Sequence, residues 1–451
     1  MRFFRLIMLC IMLVGCTPVW QQASTSTPAP TQTTVAIAPT ATSEPTLTLE
    51  PSPTAQPSPT VEPTSSPTPE ITPTPKTPLT AEQRQTLFND VWQTVNEHYL
   101  YPDFNGVDWQ QVRADFEPQV QAAASDDDFY TVLTSMVEKL NDNHSRFAPP
   151  EDARQEDAIS SGTDSYVGIG VLSVHEENAA FVSLVFADSP AYEAGIQRGD
   201  RIIAVDGQPF KDTNQIRGTA GTQVTVTVRS PQAEPRDITM TRRAVVGKIV
   251  PQTRRLPNAQ NIGYMLIPSL FSNDMHTLVI SDLANLQSDG GVDGMILDLR
   301  ANGGGWRGVL EGILAQFTQG NVGTFYSQGN AYPLEIEAGT QYATYHSKPL
   351  VILIDSGTAS YAEVLCGVLQ EQGALVIGTP SSGNTETIFQ YNFDDGSRLW
   401  VAQEGFKLLD GTNLEGKGVQ PNITISDDWT QYSLPNDPAI LQAIAFIDDQ
   451  K

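Results

Sequence analysis

The sequence predicts a multidomain protein of mixed α and β structure: a helical module first, a β-rich module second and an α/β core last. Three observations predict it. Apolar residues recur at helical spacing over 80–140, alternate with period two over 165–245, and form alternating strand-like and helix-like runs over 260–426. A chain of 451 residues has room for two or three such domains. Its net charge of −26, from 52 acidic and 26 basic residues without a basic stripe, argues against nucleic acid and anionic lipid as partners.

The N-terminus reads as a targeting segment, 1–16. Arg2 and Arg5 precede an apolar run, Leu6 to Val14, that is too short to span a bilayer comfortably. The run ends in "LVGC", which resembles a bacterial lipobox. That resemblance implies that Cys16 carries lipid and anchors the mature chain to a bacterial membrane, inner or outer, with its body outside the cytoplasm. Residues 17–79 are almost wholly Thr, Pro, Ser, Ala and Gln and cannot bury a core. They read as a disordered, partly polyproline-II linker, about 45 Å across as a coil and about 190 Å if fully extended. Cys10 leaves with the signal and Cys16 takes lipid, so Cys366 stands alone and no intramolecular disulfide is expected.

The helical module is expected over 80–160. Thr80-Ala-Glu-Gln83 fits a capping box, and Leu87, Val91, Trp92, Val95 and Tyr99 follow at helical spacing. Further helices are predicted over 109–124 and 127–140, running out into the polar loop "NDNHSRFAPPED". The β-rich module, 164–245, opens with "SYVGIGVLSV" and "AAFVSLVF" as strands. In the core, 250–451, "NIGYMLIPSLF", "DGMILDLRANGGG" and "ALVIG" read as strands, and 274–287 and "WRGVLEGILAQF" as helices. "DSGTASYAEVLCG" places Ser360 on a strand-to-helix turn among small residues. A serine hydroxyl becomes a useful nucleophile when a base takes its proton.

Residues 165–245 resemble a PDZ domain. Gly168-Ile169-Gly170 matches the loop whose backbone amides receive a peptide carboxylate, and "SPAYEAGIQRGDRIIAVDG" matches the most recognisable segment of that domain. The resemblance implies that a peptide C-terminus docks at Tyr166, Val167, Gly168, Ile169 and Gly170 and adds a strand to an exposed sheet edge. The alternative is a purely structural β module.

From Thr80 onward the chain resembles the C-terminal processing (tail-specific) serine peptidases of family S41. "DNHSRFAPPED", the PDZ segment, "LDLRANGGG", "DSGTASYAEVLCGVLQEQGALVIG" and "GTNLEGKGVQPNI" carry the resemblance. It implies a crotonase- or ClpP-like α/β peptidase core and polypeptide substrates. The typical member pairs its serine with a lysine in a Gly-Lys-Gly pattern. Here the aligned position, in "TPSSGNTETIF", is Asn384, which cannot act as a base. A second branch, resembling the tricorn protease core, uses a serine, a histidine from a preceding domain and a late glutamate. Ser360, His144 and Glu415 match those positions.

The chemistry of that trio is coherent. An imidazole of pKa about 6.5 can take the hydroxyl proton and return it to the leaving amine. A carboxylate on the far ring nitrogen fixes the tautomer and stabilises the imidazolium. Otherwise His144 pairs with Asp142 as a structural loop residue, and Glu415 caps a turn. Ser356 and Thr358 are disfavoured as nucleophiles by the alignment, and His98, His175, His276 and His346 belong to no motif. The backbone N–H groups of Tyr361 and Gly304 are the candidate oxyanion donors; the glycines otherwise serve a tight turn.

The expected function is therefore a membrane-tethered, extracytoplasmic serine endopeptidase with PDZ recognition of substrate C-termini. The alternative is a catalytically inactive relative that acts as a peptide-binding scaffold. The sequence carries no metal-ligand cluster, phosphate loop or dinucleotide fingerprint, so no cofactor is implied.

Overall fold

The helical module starts where its cap starts. In the computed structural model, which describes residues 77–450, Gln83 N–H donates to Thr80 Oγ1 and Thr80 N–H donates to Gln83 Oε1. This closes the capping box and launches the helix Ala81–His98. Cys16, the targeting segment and nearly all of the Pro/Thr/Ser-rich linker lie outside the described residues. No helix among the described residues is long and apolar enough to cross a membrane.

Leu87, Phe88, Val91, Trp92 and Val95 form the buried face of the first helix. Helices Trp109–Ala122 and Asp126–Val137 follow, close to their expected ends, and a 3-10 turn carries the chain to Leu140. The polar segment beyond is not all loop. Arg146–Ala148 is a strand, and Pro150–Ser161 is a helix with Glu151 and Asp152 in its first turn and Gly162 ending it at φ +67°. That helix buries only Pro150, Ala153 and Ser160, so it carries no apolar period to read.

The strand Arg146–Ala148 pairs antiparallel with Arg398–Trp400 of the core, two residues after His144. The helical module also shares its hydrophobic cluster with Phe271, Ile388, Leu399, Trp400 and Val401. The loop that carries His144 is thus fixed to the core by both a sheet and a common core.

In the β-rich module, strands Val171–Glu176, Ala179–Val185, Arg201–Val205, Gln223–Arg229 and Arg236–Thr241 form one sheet in that order. "SYVGIGVLSV" is two strands rather than one. Ser165–Gly168 pairs with Arg243–Val246, and the chain breaks at Gly170, where φ is +86° and a Cβ would stand 2.1 Å from Ser189 Cβ. Only glycine fits there.

The core holds a mostly parallel sheet. Strands Ala259–Leu266, Gly294–Asp298, Leu350–Ile354, Leu375–Gly378 and Ile423–Thr424 run parallel in that order, with Gln252–Leu256 antiparallel at one edge. Met265, Leu297, Ile352 and Val376 pack on one face against helices Met275–Ser288, Arg307–Leu314 and Tyr361–Glu371. Tyr264, Ile296, Val351 and Ile377 pack on the other face against the helix Pro438–Asp449. Burial on both faces is why these strands read as unbroken apolar runs. A second sheet, built on the ten-residue strand Arg398–Lys407, was not legible in advance; it joins Arg146–Ala148 to Gly320–Ser327 and Asn330–Ile336.

Candidate active site

Ser360 lies between the strand Leu350–Ile354 and the helix Tyr361–Glu371, at φ +55° and ψ −131°. Such a backbone costs a non-glycine residue about 1–3 kcal/mol, so its surroundings must impose it. Ser360 N–H donates to the Asn384 carbonyl at 2.7 Å and to Glu363 Oε2 at 3.1 Å. Ala359 N–H donates to the Asn302 carbonyl at 2.9 Å. Next to the serine, Tyr361 is fully buried, and its hydroxyl accepts from Arg307 Nε at 2.9 Å.

Glu363 ties this turn to the 381–384 loop. Its Oε1 accepts from Ser381 Oγ at 2.6 Å and Gly383 N–H at 2.7 Å, and its Oε2 from Asn384 N–H at 2.8 Å. Burial pushes the carboxyl above its ordinary value, and these donors pull against that push. Asn384, at the position aligned with the family's usual lysine, therefore supports Ser360 through its backbone.

Gly304 packs directly on the serine. Its φ is +90°, and a Cβ there would stand 2.6 Å from Ser360 Cβ and 3.0 Å from Ser360 Oγ. Asn302 organises the loop, donating from Nδ2 to the Ile267 carbonyl at 2.8 Å and accepting Gly304 N–H on Oδ1 at 2.9 Å. The Gly304 amide is thus engaged by Asn302 in this structure.

His144 and Glu415 come together from segments 271 residues apart, with His144 Nε2 3.4 Å from Glu415 Oε1. The histidine is 4% exposed. Asp142 does not touch its ring. Asp142 Oδ1 accepts the backbone N–H groups of His144 at 3.0 Å and Ser145 at 2.6 Å, and Oδ2 accepts Ser145 Oγ at 2.9 Å. Glu415 Oε2 accepts from Thr385 N–H at 2.6 Å, Thr385 Oγ1 at 3.1 Å and Glu386 N–H at 3.2 Å.

A third acidic side chain, absent from the sequence reading, completes the cluster. Glu386 Oε2 lies 3.6 Å from His144 Nε2, and the Tyr101 hydroxyl donates to Glu386 Oε1. Nothing in the sequence flags Glu386, because its partners at 101, 144 and 415 are distant along the chain. Glu363 was findable, since Ser360 and Glu363 have the spacing of a capping box.

Burial works against a charged His144, but Glu415, Glu386 and Asp142 outweigh it and hold the imidazole above its ordinary value. Burial pushes Glu386 up to about 7, against the pull of His144 and Tyr101. Burial also raises Glu415, but its bonds to His144 and Thr385 leave it below its ordinary value. One atom from each of the three groups lies within 4.8 Å of the others, close enough for a cation to bridge.

The 383–386 stretch links the two halves: Asn384 holds Ser360, and Thr385 and Glu386 hold Glu415. Among the described residues no hydrogen bond joins Ser360 Oγ to His144, and His144 Nδ1 is buried without a partner.

Of the five residues matched to the peptide loop, Tyr166, Val167 and Gly168 lie in a two-stranded sheet with Arg243–Val246, and Ile169 and Gly170 lead into the strand Val171–Glu176. Val167 pairs with Ala244 and Gly168 with Arg243. The Ile169 carbonyl accepts Ala191 N–H at 2.8 Å, and the Gly170 carbonyl accepts Phe186 N–H at 3.0 Å. Tyr166 is partly buried and its hydroxyl donates to the Val171 carbonyl at 3.2 Å. The adjoining strand Val171–Glu176 ends the sheet and, among the described residues, pairs only with Ala179–Val185. Arg198 joins this module to the core, donating to Asp298 Oδ2 and to the Arg300 carbonyl, both at 3.3 Å. Cys366 is buried, and burial pushes its thiol well above its ordinary value.

Comparison with known proteins gives matches in the same order as the modules. The family model Tricorn protease C1 domain matches residues 80–138, PDZ domain matches 181–230, and Peptidase family S41 matches 261–425. The carboxyl-terminal-processing protease of Synechocystis sp. is 27% identical, aligned over 82% of this chain and 87% of its own. The chloroplastic C-terminal processing peptidase of Tetradesmus obliquus is 27% identical, over 78% of each. Two solved structures share the fold. The photosystem II D1 C-terminal processing protease has a TM-score of 0.52 at 23% identity, covering 80% of this chain and 96% of that one. A putative S41 protease from Bacteroides fragilis has a TM-score of 0.58 at 16% identity, covering 80% and 97%. Module order, relatives and fold agree, and they support a PDZ-containing serine peptidase of the C-terminal processing type whose core matches peptidase family S41.

Proposed function

We propose that this protein is an extracytoplasmic endopeptidase that cleaves polypeptides with a Ser360–His144–Glu415 triad. The observation that carries the reading is the part-buried contact of His144 Nε2 with Glu415 Oε1 at 3.4 Å, tied through Thr385 to the loop that holds Ser360. Glu415 keeps the proton on Nε2, so Nδ1 is the nitrogen with a lone pair to offer. In the reaction Nδ1 takes the Ser360 hydroxyl proton as Oγ attacks the scissile carbonyl. The imidazolium then protonates the leaving amine as the C–N bond breaks. Water, deprotonated by the same nitrogen, hydrolyses the acyl-enzyme and restores Ser360. Tyr361 N–H and Gly304 N–H stabilise the oxyanion, and Gly304 must leave Asn302 to do so.

Substrate C-termini dock at the Tyr166–Gly170 loop and extend the Val171–Glu176 edge. The targeting segment and Cys16 anchor the protein to a bacterial membrane, and the linker sets its reach. A second reading, an inactive peptide-binding scaffold, is favoured by Asn384 in the lysine position and by the engaged Gly304 amide. A fluorophosphonate probe separates the two. The active enzyme is labelled at Ser360 in the full-length protein and loses labelling in His144→Ala. An unlabelled wild-type Ser360 would support the scaffold.

A further inference from the structure

Glu386 has no part in the mechanism above, yet it is 4% exposed and faces the ring nitrogen that Glu415 uses. Its Oε2 lies 3.6 Å from His144 Nε2 and accepts no hydrogen bond. Its Oε1 is held by the Tyr101 hydroxyl, and its backbone N–H donates to Glu415 Oε2. One residue therefore orients Glu415 with its backbone and addresses His144 with its side chain. We propose that Glu386 is a positioning residue of the catalytic centre, sharing His144 Nε2 with Glu415 and deciding at which pH the ring can accept the Ser360 proton. The proposal rests on the triad reading.

Two carboxylates in a dry site repel, and a positive ring relieves them both. With Glu386 ionised, the imidazolium is favoured and Nδ1 holds a proton it would need to lose before acting as a base. With Glu386 neutral, Nε2–H faces Glu415 alone and the Nδ1 lone pair is available at lower pH. The sign reverses once the ring has taken the serine proton, because an ionised Glu386 then stabilises the imidazolium. Glu386 thus makes His144 a stronger base over a higher pH range.

The other groups around the cluster are accounted for. Asp142 adds negative charge from the His144 loop, and Glu415 from the 413–418 turn. Tyr99 and Tyr101, from the end of the first helix, and Tyr326, from the Gly320–Ser327 strand, are phenols whose ionisation burial disfavours, so they stay neutral.

The test is Glu386→Gln in the full chain, read by kcat/KM against pH. The His144 ring is also titrated by NMR in a Ser360→Ala background, where no catalysis is involved. The acidic limb and the ring titration should both move to lower pH by about one unit, the shift produced by removing a charge within about 4–6 Å. The high-pH plateau should fall several-fold. Glu386→Asp, which keeps the charge, should restore most of the wild-type limb. Tyr101→Phe, which removes the donor that favours ionised Glu386, should move the limb in the same direction as Glu386→Gln and stands in if that variant does not fold. A lower plateau with an unmoved limb and an unmoved ring titration would overturn the proposal and leave Glu386 as packing. Full activity in His144→Ala would instead overturn the triad, and the ring titration would still report on Glu386.

Discussion

Two carboxylates converge on one imidazole nitrogen, and that geometry sets the sign of the pH dependence. His144 is held above its ordinary value, so the neutral ring needed as a base appears only above the usual range. The acidic limb of kcat/KM should therefore lie above about 6.5, the unperturbed imidazole value. A pH–rate profile checks it, and a limb well below that value would contradict the assignment of Glu415 and Glu386 as ionised neighbours. Asp142 tests the loop separately. It accepts two backbone N–H groups and no ring proton, so Asp142→Ala should lower kcat/KM by about tenfold through a loosened His144, and the loss of its charge should move the limb to lower pH by less than Glu386→Gln does. At this scale Ser360, His144 and Glu415, the proposed triad, could be named from the sequence because each stands in a recognisable short block. Glu386 and Asn302 were not, because their roles arise from contacts across the fold.

At the scale of elements, the Ser360 turn and the glycine loop are built against each other. Ser360 keeps its strained backbone because Glu363, Asn384 and Asn302 hold its neighbours. Gly304 makes room for it. Gly304→Ala would force a Cβ to 2.6 Å from Ser360 Cβ at φ +90°. The strain should be on the order of 1–3 kcal/mol, and a displacement near 1 Å should lower kcat about 100-fold. Thermal unfolding and steady-state kinetics on one preparation measure both, and an unchanged kcat would show that Gly304 is remote from the chemistry. The parallel strands were legible because burial on both faces makes them continuous apolar runs. The helix Pro150–Ser161 was not, being polar almost throughout. Nor was the Arg146–Ala148 pairing with Arg398–Trp400, since register across some 250 residues leaves no local pattern.

Across the whole molecule, the site is assembled from separate modules that share cores and seams. The helical module contributes His144 and docks through a common hydrophobic cluster. The β-rich module reaches the strand-to-loop junction before Gly304 through Arg198. The proposed lipid anchor is tested by Cys16→Ser, which should abolish lipidation and move the processed protein to the soluble fraction. Retention in the membrane fraction after signal cleavage would contradict the lipobox reading.

In the proposed triad, activation of Ser360 falls to His144 and not to a lysine. It is tested most directly by kcat/KM for cleavage of a peptide by full-length Ser360→Ala, His144→Ala, the double variant and Asn384→Ala. Each of the first two should lose at least about 10³-fold, and the double variant should be scarcely worse, because triad members act as one unit. Asn384→Ala should lose far less, since Asn384 supports Ser360 and Glu363 through its backbone. Wild-type activity in a folded His144→Ala protein would contradict the account.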